Sequence, residues 1–227
     1  MIVELKDIFK SYSEGEDNPR RNILDSFNLL INFDESISIV GPSGCGKTTL
    51  LNILGTLDKP DSGEVIFKGE LVTHMNDDQL SKLRAEKIGF IFQSHYLLPQ
   101  ISVIENVILP TLAVNRKQNN SIIFDEAESL LSQVGLIKQA HKFPSQLSGG
   151  EKQRVAIVRS LINKPNLVLA DEPTGSLDKS RGEDIIDLLK SLCVNNQTSL
   201  VVVTHDVEIA SQMKRRLCYK NYDFIES

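Results

Sequence analysis

The stretch that most restricts what this chain can become is Gly41-Pro42-Ser43-Gly44-Cys45-Gly46-Lys47-Thr48, an unbroken match to the phosphate-binding pattern G-x-x-x-x-G-K-[ST]. Ser36-Ile37-Ser38-Ile39-Val40 before it reads as a short buried strand, and Thr49-Leu50-Leu51-Asn52-Ile53-Leu54 after it has the apolar spacing of a helix. Strand, glycine loop and helix, in that order, are the context a P-loop needs. Glycines let successive backbone N–H groups curl around an anion without Cβ clashes, and the helix that follows aims its positive dipole end at the same point. The ligand this favours is a triphosphate. In such a loop Lys47 reaches the β- and γ-phosphates and the Thr48 hydroxyl ligates the bridging Mg²⁺. Gly41 to Thr48, with Thr49 behind them, are the expected binding residues.

A chain of 227 residues is long enough for one good core and a smaller lobe, so a single ATPase module is the simplest fit. Its 41% apolar and 24% charged residues are ordinary for a globular protein, and no apolar run approaches the ~18 residues of a membrane span. Met1-Ile2-Val3-Glu4-Leu5-Lys6 already alternates as a strand, with none of the basic and apolar regions of a signal peptide. The expectation is a protein that stays in the cytosol and does not insert into a membrane. A net charge of −5 argues against a duplex-DNA binder, and no nucleic-acid partner is expected. Cys45, Cys193 and Cys218 lack metal-ligand spacing, so neither a disulfide nor a zinc site is expected, and Cys45 reads as a small residue that fits its loop.

Along the chain, Ile2 to Phe9 and Ile23 to Phe33 alternate on either side of a polar stretch containing Gly15 and Pro19, and Glu64 to Gly69 adds a strand after the turn Lys59 to Gly63. These predict a small antiparallel sheet beside the nucleotide. A helix from Asn76 to Lys87 precedes a buried strand, Ile88 to Phe92. Helices follow at Val103 to Leu112 and Ile122 to Val134, with a shorter piece before Pro144 and polar links that include 115–120. Strand, helix, strand, helix and strand then alternate from Leu167 to Tyr219, which implies a parallel sheet with helices on both faces.

Asn166 to Glu172 is an apolar strand ending in two carboxylates, at the sheet edge where ligands of open α/β folds bind. Asp171 fits a Mg²⁺-supporting role and Glu172 the general base, a role worth roughly 10²–10⁴ in rate. Leu147 to Arg154 opens a patterned helix whose start offers a Ser hydroxyl, glycine N–H groups and a helix N-terminus to a second anion. Ser148-Gly149-Gly150-Glu151 matches the signature motif of ATP-binding-cassette (ABC) ATPases, a family the chain resembles over essentially its whole length. The resemblance implies that Ser148, Gly149, Gly150 and Glu151 meet the γ-phosphate held by the P-loop of another subunit. It also makes Gln93 the Q-loop glutamine near Mg²⁺ and the attacking water, His205 the switch histidine, Ser176-Leu177-Asp178 the D-loop and Tyr12 the aromatic that stacks on adenine. By the same token the catalytic residues are Glu172, His205 and Gln93, and the metal residues Thr48, Gln93 and Asp171. His74, His95 and His141 have no equivalent and read as surface or packing residues. One departure is Asp34-Glu35, where the family commonly has a glycine first; aspartate tolerates turn conformations, so only a local adjustment is expected.

The fold class implied is α/β: a P-loop NTPase (RecA-like) parallel-sheet core with an N-terminal antiparallel β subdomain and an inserted α-helical subdomain. The single ABC ATPase domain, 1–227, then comprises core segments 1–93 and 161–227 and a helical signature lobe, 94–160. One P-loop and one signature per chain cannot complete a site that is shared, so a homodimer closing on two ATP molecules follows from counting. With no membrane span, any permease is a separate integral subunit docked on the helical lobe, leaving this chain peripheral on the cytoplasmic face of the inner membrane. Leu169 to Asp178, and Gly89 to Pro99 with Glu105-Asn106-Val107, resemble the group of lipoprotein-releasing, macrolide-exporting and cell-division ATPases. His95-Tyr96-Leu97-Leu98-Pro99 looks most like the first of these, which implies lipoprotein release by mechanotransmission. The alternatives are a macrolide or peptide exporter and a cell-division signalling complex. A soluble ABC protein of translation or repair would carry two cassettes in tandem or a long coiled coil, and the chain has neither.

Overall fold

Hydrogen-bonding direction divides the strands into two sheets. The computed structural model describes residues 1–13, 20–114, 120–220 and 223–226, so the polar stretch with Gly15 and Pro19 and most of the link 115–120 lie outside the described residues. The first sheet is antiparallel, in the order β2 (Arg21–Ile31), β1 (Val3–Tyr12), β4 (Ser62–Phe67), β5 (Glu70–Leu71). The second has six strands: β10 (Asp223–Glu226), β9 (Arg215–Lys220), β3 (Ser36–Val40), β8 (Ser199–Thr204), β7 (Leu167–Asp171) and β6 (Ile88–Phe92). Within it every pairing is parallel except that of β10 with β9.

Parallel strands covered on both faces read as unbroken apolar runs, and β7 and β8 are such runs. Their side chains alternate between two cores. Leu167, Leu169, Val201 and Val203 join Ile37, Ile39, Leu50 and the strands of the first sheet. Val168, Ala170, Leu200 and Val202 face the other way, onto α5 (Gly149–Leu161) and α6 (Lys179–Asn195). The same second core continues into α3 (Val103–Ile108) and α4 (Asn120–Gln133), whose Val107, Ala127 and Leu131 are wholly buried. Each such side chain of Leu or Ile size stabilises the fold by roughly 1.5–3 kcal/mol.

The turns are local chemistry. Asn76 caps α2 (Asp77–Lys87) and Ser102 caps α3, each with a reciprocal partner three residues on, Gln79 and Glu105. Asp34 adopts φ 56°, the left-handed turn conformation that aspartate tolerates in place of glycine. Three features depart from the pattern in the sequence. The helix expected to run from Val103 to Leu112 stops at Ile108 and continues as a 3₁₀ turn, Leu109–Ala113, because Pro110 has no N–H to bond the preceding turn. The short strands β5 and β10 carry too few residues to register as alternation. In β1, bulges near the left-handed Asp7, whose amide bonds Asn28 of β2, restart the pairing and carry the strand to Tyr12, past the point where alternation fades. Among the described residues no helix is long and apolar enough to cross a membrane.

α5 lies so close to β6 that a Cβ on Gly89 would run into the Ser160 carbonyl, which is backbone and cannot rotate away. Gly89→Ala is therefore expected to lower stability by about 1–3 kcal/mol through forced displacement of α5. A urea titration of parent and variant measures it, and an unchanged midpoint would show that α5 has room to shift.

Candidate active site

The P-loop occupies the carboxyl edge of the six-stranded sheet, between β3 and α1 (Lys47–Leu54). Gly44 and Gly46 have φ of 77° and 102°, a region open to glycine at no steric cost, and Gly46 caps α1 without any side-chain acceptor. The first N–H groups of α1 are thus left for a ligand. Gly41 has no room for a side chain: a Cβ would stand 2.7 Å from Tyr219 Cβ. Lys47 is buried, and its ammonium spans the loop, donating to the carbonyls of Gly41 at 2.7 Å and Pro42 at 2.9 Å. Pro42 and Ser43 are exposed, and Cys45 is buried under the loop.

Strand register brings the acidic residues to the same edge. Val40 pairs with Thr204, and Asp171 with Val203, so β3, β8 and β7 end at one level. Thr48 Oγ1 donates to Asp171 Oδ2 at 3.1 Å. Burial pushes the Asp171 carboxyl above its ordinary range; the Thr48 bond opposes this, and the neighbouring Glu172 charge adds to it. Glu172 sits at φ 46°, a conformation that costs a non-glycine residue roughly 1–3 kcal/mol. Its amide extends the ladder to Val203 O at 2.9 Å. One carboxylate oxygen meets His205 Nδ1 at 2.9 Å and the other is buried with no protein partner. His205, just beyond β8, is otherwise exposed. Gln93, just beyond β6, rests against the loop after Glu172: a Cβ on Gly175 would stand 2.7 Å from its Nε2. A half-buried carboxylate beside a hydroxyl, and an orphaned carboxylate oxygen next to them, form a donor set that suits a hard cation. Among the described residues no three His, Cys, Asp or Glu side chains converge.

Tyr12 ends β1, and its register partner Arg21 donates to Gly44 O at 3.1 Å, which sets the end of β1 beside the P-loop. The Ser148 to Glu151 segment stands apart from this group. Ser148 caps α5, and Glu151 closes a capping box by accepting from the Ser148 amide at 2.8 Å and hydroxyl at 2.7 Å. These bonds, hydroxyl first, hold the Glu151 carboxyl below its usual range. Among the described residues the side-chain bonds of this segment reach only Gln139, and none reaches the P-loop of the same chain. Gly149 and Gly150 are left uncovered, with Leu177 the nearest side chain to Gly149.

A profile of the family described as ABC transporter matches residues 24–175, the span from β2 through both carboxylates. The chain belongs to that family. It is 42% identical to the lipoprotein-releasing system ATP-binding protein LolD of Shewanella frigidimarina, over 97% of this chain and 90% of that protein. The protein of the same name from Myxococcus xanthus is 44% identical over 95% of each. Among solved structures, the dimeric ATP-binding cassette MJ0796, in a post-hydrolysis state bound to ADP and Pi, superposes with a TM-score of 0.89 at 41% identity, over 100% of this chain and 98% of that one.

This ABC cassette also uses residues that no motif marks. Arg159 on α5 donates to the carbonyls of Tyr96 at 2.6 Å and His95 at 2.5 Å. Those two residues have φ of 47° and 56°, a consecutive left-handed pair held by charge-assisted bonds. The segment behind Gln93 is thereby tied to the helix that begins at Ser148. His95 is half-buried as a packing residue, and burial lowers its pKa, aided by Lys152 and Arg159, while His74 and His141 are exposed. Asp58 and Lys10, which contact Tyr12, were equally invisible, because 46 and 48 residues separate the partners Asp58–Tyr12 and Asp58–Lys10 and no local pattern joins them.

The raised Asp171 pKa has a consequence for stability. The folded state binds this proton more tightly than the unfolded state, so stability falls as pH rises from the ordinary Asp range through the raised value. Asp171→Asn keeps an acceptor for Thr48 and removes the charge. Without nucleotide it is expected to be more stable than the parent at neutral pH, the gap closing toward about pH 4. Thermal unfolding across that range checks this; a variant less stable at neutral pH would contradict it.

Proposed function

We propose that this chain is the ATP-hydrolysing subunit of a lipoprotein-releasing transporter, acting as a homodimer at the cytoplasmic face of the inner membrane beneath a separate integral permease. The supporting observation is the near end-to-end match to lipoprotein-releasing ATP-binding proteins, at 42–44% identity and 95–97% of the chain. Residues 1–93 and 161–227 serve as the nucleotide-binding core, and 94–160 as the signature lobe.

In this reading the loop Gly41 to Thr48, through the N–H groups of its residues other than Pro42, and the ammonium of Lys47 hold the ATP phosphates, the ammonium exchanging its two loop carbonyls for phosphate oxygens. Thr48, Asp171 and Gln93 would hold Mg²⁺, which supplies neutralisation of the β- and γ-phosphate charge when bound. Glu172, aimed by His205, takes a proton from water as its oxygen bonds the γ-phosphorus. The bond from that phosphorus to the bridging oxygen breaks, and ADP and phosphate leave. Ser148, Gly149 and Gly150 serve the P-loop of the second copy, since they lie free of their own, and Glu151 keeps Ser148 in place. Tyr12 offers its ring to adenine.

For the permease we propose a groove of about 460 Å³ lined by Leu57, Arg84, Phe90, Phe92, Pro110 and Arg159. Exposed Tyr96 and Leu112, the latter 80% accessible, stand on flanking segments. A contact here bears on Phe92 and Arg159 at once, and through them on Gln93 and α5, so a pull on the permease and closure on ATP share one mechanical path.

Glu172→Gln is expected to keep ATP binding, accumulate as an ATP-loaded dimer and lose about 10²–10⁴ in turnover. Steady-state hydrolysis within a few-fold of the parent would remove Glu172 as the base. Mixing Lys47→Ala with Ser148→Arg subunits should regenerate one intact shared site per heterodimer. Hydrolysis no better than either variant alone would count against action across subunits. Isolation from detergent-solubilised membranes should bring down the permease, and an exporter or cell-division permease in its place would replace lipoproteins as the load.

A further inference from the structure

Tyr12 does not hang free from the end of β1. Its hydroxyl donates to Asp58 Oδ2 at 2.6 Å, in the short charge-assisted class, and the other oxygen of Asp58 accepts from Lys10 Nζ at 2.8 Å. Lys10 is only 7% exposed, although it lies on a strand end beside an exposed tyrosine. Its ammonium also bonds the Lys59 carbonyl at 2.7 Å and lies 5.1 Å from the centroid of the Tyr12 ring. Asp61 completes the group by accepting from the amide and hydroxyl of Ser11 at 2.8 and 2.9 Å.

The turn that holds Asp58 belongs to the P-loop helix. The amides of Leu57 and Asp58 both donate to Asn52 O, at 2.8 and 3.2 Å, so the carboxylate moves with α1. On its other side the end of β1 is tied to the P-loop through Arg21 and Gly44 O. The ring is therefore referenced to the phosphate loop from both directions. One face lies against Lys10, and 42% of the residue stays accessible. Packing alone would ask only for a phenyl ring; the hydroxyl fixes its angle.

We infer that Asp58 and Lys10 are positioning residues for the nucleotide base, holding the Tyr12 ring with one face open so that a purine does not have to order it on binding. This rests on the reading of Tyr12 as the adenine platform. An aromatic side chain that must be immobilised on binding weakens affinity, and loss of the lock is expected to raise the Kd for ADP roughly 3–10-fold.

The test is calorimetric titration of the full chain with two probes, ADP and inorganic tripolyphosphate, the second reporting on the P-loop without a base. Tyr12→Phe removes only the hydroxyl and leaves the Lys10–Asp58 pair intact, which guards against a variant that fails to fold. Tyr12→Phe and Asp58→Ala are each expected to weaken ADP by roughly 3–10-fold while tripolyphosphate binding stays unchanged. The double variant is expected to be no weaker than Asp58→Ala alone, because that variant has already lost the carboxylate that the Tyr12 hydroxyl bonds. If Tyr12→Ala weakens ADP but Tyr12→Phe does not, the lock is refuted and the platform stands. If Tyr12→Ala leaves ADP untouched, the platform reading fails and takes the lock with it. If Asp58→Ala weakens both probes alike, Asp58 serves α1 and the phosphates, and the inference is overturned.

Discussion

The backbone ladder that joins β3, β8 and β7 is the constraint on which the site depends. Val40 opposite Thr204 and Asp171 opposite Val203 end three parallel strands at one level. The P-loop, the acidic pair and His205 then emerge side by side. A slip of one residue would turn every strand side chain to the other face and carry the two carboxylates off that edge. The slip is resisted because alternate residues of β7 and β8 are committed to two different apolar cores, and exchanging them would misfit both.

A frame that well determined can hold features that are unfavourable locally. Glu172 is left-handed with one carboxylate oxygen lacking a protein partner, Asp171 is half-buried with a carboxyl it ionises reluctantly, and His95 and Tyr96 form a consecutive left-handed pair. They gather where the β6 and β7 strands end, while the interior of the sheet is regular. The P-loop is the counterpart: its glycines are already curled, and the main rearrangement an anion asks for is that Lys47 leave two loop carbonyls.

Arg159 ties two distant parts of the chain together. Its two bonds join the segment behind Gln93 to α5, whose first turn carries Ser148, and α5 itself is seated on β6 with no room for a side chain at Gly89. The groove beside Phe92 and the signature turn are thus joined through one helix. In the proposed transporter, that is the route by which a load on the membrane side and ATP on the sheet edge feel each other.

By itself the sequence determined what local chemistry can encode. The glycine spacing of 41–48, the apolar runs of β3, β6, β7 and β8, the Asn76 cap and the Ser148-Gly149-Gly150-Glu151 turn are all set within a few residues, and each is legible. So were the α/β class and the family. The break after α3 is encoded locally as well, in the missing N–H of Pro110, although apolar spacing alone runs the helix on to Leu112. Tertiary structure alone decided the rest. Thr48 meets Asp171 across 123 positions, Arg159 meets His95 across 64, and Tyr12 meets Asp58 across 46. Such pairs leave no periodic trace because a side chain's partner across the fold depends on strand order and register, quantities that appear only when the whole hydrophobic pattern is satisfied at once.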